Sequence, residues 1–282
     1  MFDISRDREW KYAVHSLERF IDCPSFQNQP VKDQATDENP RFELRFVRAK
    51  DGTIDEPNEE DIQAVAHLSH VNDRIRLANP DLTLDGRIKL YTNWYRGNRK
   101  VFGLLERFPA DRFGMSIIAN TTILPLPMRT FESIRDGSAP VISLKPWQFS
   151  KRGFGCLLLD TWVVHKMHQR MPGLLGSPRN GHKGFADLLL LRHIADFWTP
   201  PQTKGKNRKR LIVFAEPDSA SMKAALPKWG FENVGVTHIN EPLYRLEYPP
   251  QGKSSQDRVV NDLLLKMITV LNQSKEMIEI TG

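Results

Sequence analysis

Residues 157–165 read Leu157-Leu158-Leu159-Asp160-Thr161-Trp162-Val163-Val164-His165. A near-continuous apolar run of this length, opened by Gly155, is what a central strand covered on both faces requires. One carboxylate, Asp160, interrupts it. The next stretch, 166–180, carries Pro172, Gly173, Gly176 and Pro178 and reads as a loop that can fold over a neighbouring site. Then Gly181-His182-Lys183-Gly184-Phe185-Ala186 opens a helical pattern over 184–198, with Leu188, Leu189, Leu191, Ile194, Ala195 and Trp198 apolar. Glycines at a helix start let an anion approach the backbone, where free N–H groups and the positive dipole end hold it. Two glycines so placed also fit a plain helix start.

Working outward, Leu211-Ile212-Val213-Phe214-Ala215 reads as a second buried strand. A helix over 218–229 is ended by Gly230, and 231–236 and 243–248 complete a sheet. A last amphipathic helix, 256–271, carries Val259, Val260, Leu263, Leu264, Met267, Ile268 and Leu271. Upstream, 116–124 is rich in β-branched residues and reads as a strand closed by Pro125-Leu126-Pro127. A short helix over 129–135 stops at Gly137, and 141–144 reads as a further short strand. Residues 90–105 are less regular: Trp94 and Tyr95 precede the turn-like Gly97-Asn98, and 101–105 fits a hairpin arm. A helix over 59–77 has Ile62, Val65, Ala66, Leu68, Val71 and Ile75 at helical spacing. Residues 42–47 alternate as a strand with one buried face does. Residues 10–20 fit a short helix and 24–40 a polar linker. The order predicts a mixed α/β layer fold, organised as an N-terminal extension (1–40), a central domain (41–250) and a C-terminal helix (251–282).

In this context the chain resembles the GNAT acyltransferases over about 112–248. Their pyrophosphate loop, Arg/Gln-x-x-Gly-x-Gly/Ala, is matched in its second glycine and small residue by Gly181-His182-Lys183-Gly184-Phe185-Ala186, with Gly181 in place of the Arg or Gln. Trp162-Val163-Val164 resembles the strand end that pairs with the pantetheine arm. Leu211 to Pro217 resembles the following strand, Lys228-Trp229-Gly230-Phe231 the common Lys-x-Gly-Phe signature, and Pro242-Leu243-Tyr244-Arg245-Leu246 the closing strand. The resemblance implies a largely antiparallel central sheet flanked by helices, acetyl-CoA or CoA as cofactor, and direct acyl transfer to an amine. It implies Trp162, Val163, Val164 and Gly181 to Ala186 as the cofactor-binding residues. Three departures stand out. The 166–180 link is long, the acid tyrosine of many members is replaced by Leu226, and the usual asparagine is Ser219 or Asp218.

An N-acyltransferase needs a general base with a raised pKa. Asp160, inside an apolar strand where desolvation raises a carboxyl pKa, is the first candidate. The alternative for it is a structural, hydrogen-bonded aspartate. Glu216, just past the next strand, is the second; it also fits an exposed strand end. His165 and His168 fit structural roles or the neighbourhood of the cofactor arm, and Lys183 a phosphate contact or a solvated lysine. Trp94 and Tyr95 fit an acceptor pocket or the core.

Composition narrows the class. Hydrophobic residues are 40% and charged residues 26%, as in folded globular chains. The two cysteines, Cys23 and Cys156, form neither a disulfide framework nor a zinc motif, which predicts a reducing compartment. No apolar run is of bilayer length and no signal-peptide core opens the chain, so a cytoplasmic location is expected. The net charge of +6 is concentrated in Lys204-Gly205-Lys206-Asn207-Arg208-Lys209-Arg210. That run reads as a solvated loop or as an anion site for an acidic partner, nucleic acid or the phosphates of a cofactor. Three functions follow: an acyl-CoA-dependent N-acyltransferase, a catalytically inactive scaffold binding acyl-CoA or a partner, and a nucleic-acid-associated protein.

Overall fold

The computed structural model describes residues 32–38, 40–76, 82–112, 114–150, 155–169, 189–190, 193–194, 197, 211–217, 220–229 and 231–248. Its strands are β1 (Arg41–Phe46), β2 (Phe102–Phe108), β3 (Ile117–Leu126), β4 (Cys156–Val164), β5 (Leu211–Ala215), β6 (Glu232–Val236) and β7 (Pro242–Tyr248). They form one seven-stranded sheet in the order β1-β2-β3-β4-β5-β7-β6. Every neighbouring pair is antiparallel except β4 and β5, which are parallel. The sequence expectation of a mixed α/β fold on a largely antiparallel sheet therefore holds.

Alternation along the two parallel strands sorts their side chains onto two faces. Leu158 and Phe214 join one core cluster with residues of α1 (Glu59–Arg76), α2 (Leu84–Gly97) and α3 (Met128–Arg135). There Phe131 of α3 stacks on Phe214, with ring centroids 4.0 Å apart. Leu157, Leu159, Val213 and Ala215 join the opposite cluster with Leu190, Ile194 and Leu226. Leu189, Leu190, His193, Ile194 and Phe197 are helical, within the helix expected over 184–198. Past β5, α4 (Ala220–Ala225) passes into a 3₁₀ turn at Leu226–Trp229. The expected 218–229 helix is thus tightened in its second half, where Pro227 removes a backbone donor.

Three other expectations are corrected. Residues 141–144 are not a strand: Val141–Ser143 is a 3₁₀ turn after Pro140. Its bonds are local, Ser143 N to Pro140 O at 2.9 Å and Leu144 N to Val141 O at 3.1 Å, and Leu144 alone is buried. Pro125 does not close β3; it lies inside the strand opposite Leu157 and uses only its carbonyl, which accepts from Ser150 N at 2.8 Å. The first part of the irregular 90–105 region belongs to the helix α2, capped by Thr83, whose Oγ1 accepts from Gly86 N at 3.1 Å. Its buried face is Arg87, Tyr91, Trp94 and Tyr95. That spacing is helical, but an arginine and three aromatics mask it where aliphatic residues would have revealed it.

β1 is tied to this frame electrostatically. The Asp61 carboxylate, buried in the first turn of α1, accepts from Arg45 Nη1 at 2.7 Å and Nη2 at 2.9 Å. It also accepts from the Arg48 backbone N and Nη2, both at 2.9 Å. Arg45 pairs in addition with Glu106 of β2.

Candidate active site

The parallel ladder between β4 and β5 covers only Leu157 to Leu159, opposite Val213 to Ala215. β5 ends there, while β4 continues past Asp160 with Thr161, Trp162, Val163 and Val164 paired with β3. At the parting point β4 carries a bulge. Thr122 pairs with Thr161 and Ile123 with Leu159, so Asp160 is the extra residue. A bulge bends its strand and re-aims its side chains. The result is a fork in the sheet, with β4 as one arm.

Asp160 and Glu216 each follow the last ladder pair, Leu159 with Ala215. The expectation of a buried Asp160 is overturned: the bulge turns it out of the apolar alternation, it is exposed, and its Oδ2 accepts from Thr161 Oγ1 at 2.9 Å. Its charge still reaches α2. Burial, with the Asp160 charge next, pushes the Tyr91 hydroxyl up to about 12, and that hydroxyl accepts from Arg87 Nη1 at 3.2 Å. Glu216 is half-buried, and burial raises its pKa above the ordinary glutamate value, with His238 opposing. The raised carboxyl expected at Asp160 is therefore found at Glu216.

The remaining candidates divide by environment. Trp94 and Tyr95 are core residues of α2. His168 Nε2 pairs with Asp111 Oδ2 at 3.0 Å, fixing the chain after β4 to the β2–β3 connection. His165, with its ring centroid 5.7 Å from that of His168, is held below the ordinary imidazole value by burial and by His168. Leu226 is fully packed among Leu157, Leu159 and Phe231. Trp162, Met222 and Tyr244 are partly buried against the same cluster. Cys156 is buried, and burial pushes its thiol up to about 12, so it is not a nucleophile at neutral pH.

Sequence reasoning missed His193, whose signal was only a histidine at an apolar helix position. It is buried between Thr121 Oγ1, 2.6 Å from its Nδ1, and Lys100 O, 2.5 Å from its Nε2. A carbonyl only accepts, so Nε2 carries a proton; in the neutral ring Nδ1 then accepts from Thr121 Oγ1. The arrangement locks the helix at 193 to β3.

Gly181, His182, Lys183, Gly184, Phe185 and Ala186 lie outside the described residues, as do the basic run 204–210, most of the N-terminal extension and the helix expected over 256–271. Among the described residues no helix is long and apolar enough to cross a membrane. No group of three or more His, Cys, Asp or Glu among them is arranged to hold a metal ion.

No family model matches the sequence, and no curated protein matches it significantly. Among solved structures, the chain is similar to an N-acetyltransferase from Staphylococcus aureus Mu50 at 16% identity and a TM-score of 0.39, over 73% of this chain and 98% of that one. It is similar to the ribosomal-protein-S18-alanine N-acetyltransferase from Escherichia coli at 12% identity and a TM-score of 0.37, over 76% and 97%. It is also similar to the loading GNATL domain of CurA from Lyngbya majuscula at 12% identity and a TM-score of 0.40, over 73% and 96%.

Proposed function

We propose that the protein is an acyl-CoA-dependent N-acyltransferase of the GNAT type, most simply an acetyltransferase, moving an acyl group directly to an amine. One observation carries the reading: β4 runs on past its ladder with β5, bulged at Asp160, with two carboxylates at the fork. An extended strand continuing beyond its neighbour suits an acyl-pantetheine arm, which pairs as a strand does. Trp162, Val163 and Val164 form that arm of the fork. Gly181 to Ala186 are assigned to the pyrophosphate on the resemblance of their sequence.

Acetyl-CoA supplies the activated thioester. Glu216, or Asp160 directly or through water, accepts the proton that the amine gives up as its nitrogen bonds to the acyl carbon and the C–S bond breaks. A half-buried base with a raised pKa suits this proton transfer better than an exposed carboxylate, which moves Glu216 ahead of Asp160. Leu226, packed in the core, gives no proton to the leaving thiolate. Tyr244, partly buried on the same face, is a candidate for that role. The burial of Leu226 also favours a second reading, a scaffold that binds acyl-CoA without turnover.

The test is calorimetry with CoA, followed by a thiol-release assay with acetyl-CoA and a panel of amines. The transferase reading expects CoA binding, its loss in Gly184→Val, and amine-dependent thiol release. Binding without release selects the scaffold. No binding to a folded chain overturns both.

A further inference from the structure

Asn120, Thr121 and Thr122 are consecutive polar residues in the middle of the sheet, each fully closed to solvent. Polar groups buried in a central strand cost free energy unless each has a partner. Thr121 has one in His193. Asn120 and Thr122 point to the other face of β3. They pair with Leu104 and Phe102 of β2, and both of these belong to the cluster packed by α1 and α2. On β4 they pair with Val163 and Thr161, and Val163 lies in the same cluster. Thr122 and Thr161 are the first ladder pair past the bulge at Asp160, and Asn120 is one step farther along. Phe214 also lies in that cluster, so alternation along β5 directs Glu216 to the same face.

Asn120 is incompletely paired. Its Nδ2 gives a long hydrogen bond to Thr122 Oγ1 at 3.4 Å, and its buried Oδ1 accepts none among the described residues. Diagonally across the β3–β4 ladder, two residues past Val163, stands His165, whose backbone N–H donates to Ile118 O at 2.8 Å. Its Nδ1 is a second buried polar atom without a hydrogen bond among the described residues. The His165 residue is half-buried, so the strip is closed at Asn120 and reaches solvent at His165. Burial, His168 and His67 of α1 hold that imidazole below its ordinary value, so it is neutral at pH 7. We propose that Asn120, with His165 at its open end, is a subsite for a second, uncharged polar group of the acceptor, a hydroxyl or a carboxamide on the same molecule as the reacting amine. The inference rests on the acyltransferase reading and names its acceptor class. Asn120 Oδ1 accepts the O–H or N–H of that group. A plain alkylamine that fills the strip leaves the oxygen unpaired, which is the physical source of discrimination. Asn120 is a specificity residue and touches no reacting atom.

The experiment compares straight-chain amines of graded length with counterparts ending in a hydroxyl, a carboxamide or a carboxylate, in thiol release from acetyl-CoA. The wild-type chain favours the hydroxyl or carboxamide at the matching length by roughly tenfold or more in kcat/KM, mostly through KM. Asn120→Leu, which keeps the size and removes both polar atoms, brings that ratio toward one, and His165→Phe lowers it as well. Equal ranking of the amines by the wild-type chain, a preference for the carboxylate, or an unchanged ratio in either variant overturns the proposal. Stability gives a separate reading. An oxygen unpaired in the free chain means that Asn120→Leu leaves the melting temperature unchanged or raises it. A lowered melting temperature assigns Asn120 to the structure, with a buried water as partner, and overturns the subsite. If no amine is turned over, the transferase reading fails and the subsite is decided by binding. The ¹H–¹⁵N signal of the Asn120 side-chain amide, assigned by its absence in Asn120→Leu, then shifts with the carboxamide-ended amine and not with its alkyl counterpart. No shift overturns the subsite too.

Discussion

Asp160 and Glu216 stand at the same level on neighbouring strands, each one residue past the Leu159–Ala215 pair that ends the parallel ladder. Alternation from Phe214, in the cluster on the α1–α3 side, places Glu216 toward that side of the sheet, whereas Asp160, the extra residue of the bulge, stands outside the alternation. They differ in exposure, so they differ in what ionisation costs.

Glu216→Gln should lower acyl transfer by roughly 100-fold or more, the usual scale for loss of a general base. Asp160→Asn should have the smaller effect. The wild-type rate should fall on acidification with a midpoint above the ordinary glutamate value, since burial raises the Glu216 pKa. The sign for stability is opposite to that of a salt-bridged acid. A raised folded-state pKa means that ionised Glu216 disfavours the fold at neutral pH. Glu216→Gln should therefore leave the melting temperature unchanged or raise it at pH 7. A lowered melting temperature together with a normal rate would assign Glu216 to structure.

Asp61 carries the converse case. Burial opposes its charge, but hydrogen bonds from Arg45 and Arg48 outweigh this and hold its carboxyl below the ordinary aspartate value. Its contribution is present above the unfolded-state pKa and is lost as pH falls through the lower folded-state value. Asp61→Asn should cost about 2–4 kcal/mol at pH 7, because it leaves the part-buried Arg45 guanidinium with a neutral partner. The gap from wild type should narrow in strong acid. Urea denaturation at pH 7 and pH 3 measures both; an equal deficit at the two pH values would contradict the assignment.

Gly155→Ala tests the turn into β4. Its φ is +132°, and a Cβ there would fall 2.0 Å from the Leu126 carbonyl oxygen. The backbone must move or the β3–β4 pairing must loosen, at roughly 2 kcal/mol or more. Chemical denaturation should show the loss, and a stability equal to wild type would mean that the β3–β4 connection re-forms without strain.

Thr121→Val removes the donor to His193 Nδ1 in a site closed to solvent. The expected cost is about 1–3 kcal/mol, the range for an unsatisfied buried polar atom. Thr121→Ser, which keeps the hydroxyl, should recover most of it. Similar losses in both variants would assign the effect to packing of the methyl group.

Local chemistry was enough to read most elements from the chain. The apolar run of β4, the periodic stripe of α1 and the strand at 211–215 are each specified by side chains close in sequence. The glycines at 137 and 155 also announce themselves, because few other residues take their backbone conformations. Helix α2 stayed hidden because its buried face is Arg87, Tyr91, Trp94 and Tyr95, whose burial depends on the helices and strands around them. Asp160 looked buried because the near-continuous apolar run around it reads as a strand covered on both faces. As the one extra residue against β3 it is left exposed, and register is a property of the pair of strands. The meeting of Asp160 and Glu216 at one fork is likewise a tertiary product. It requires β5 to lie parallel to β4, a pairing between segments far apart in the chain that no local pattern encodes.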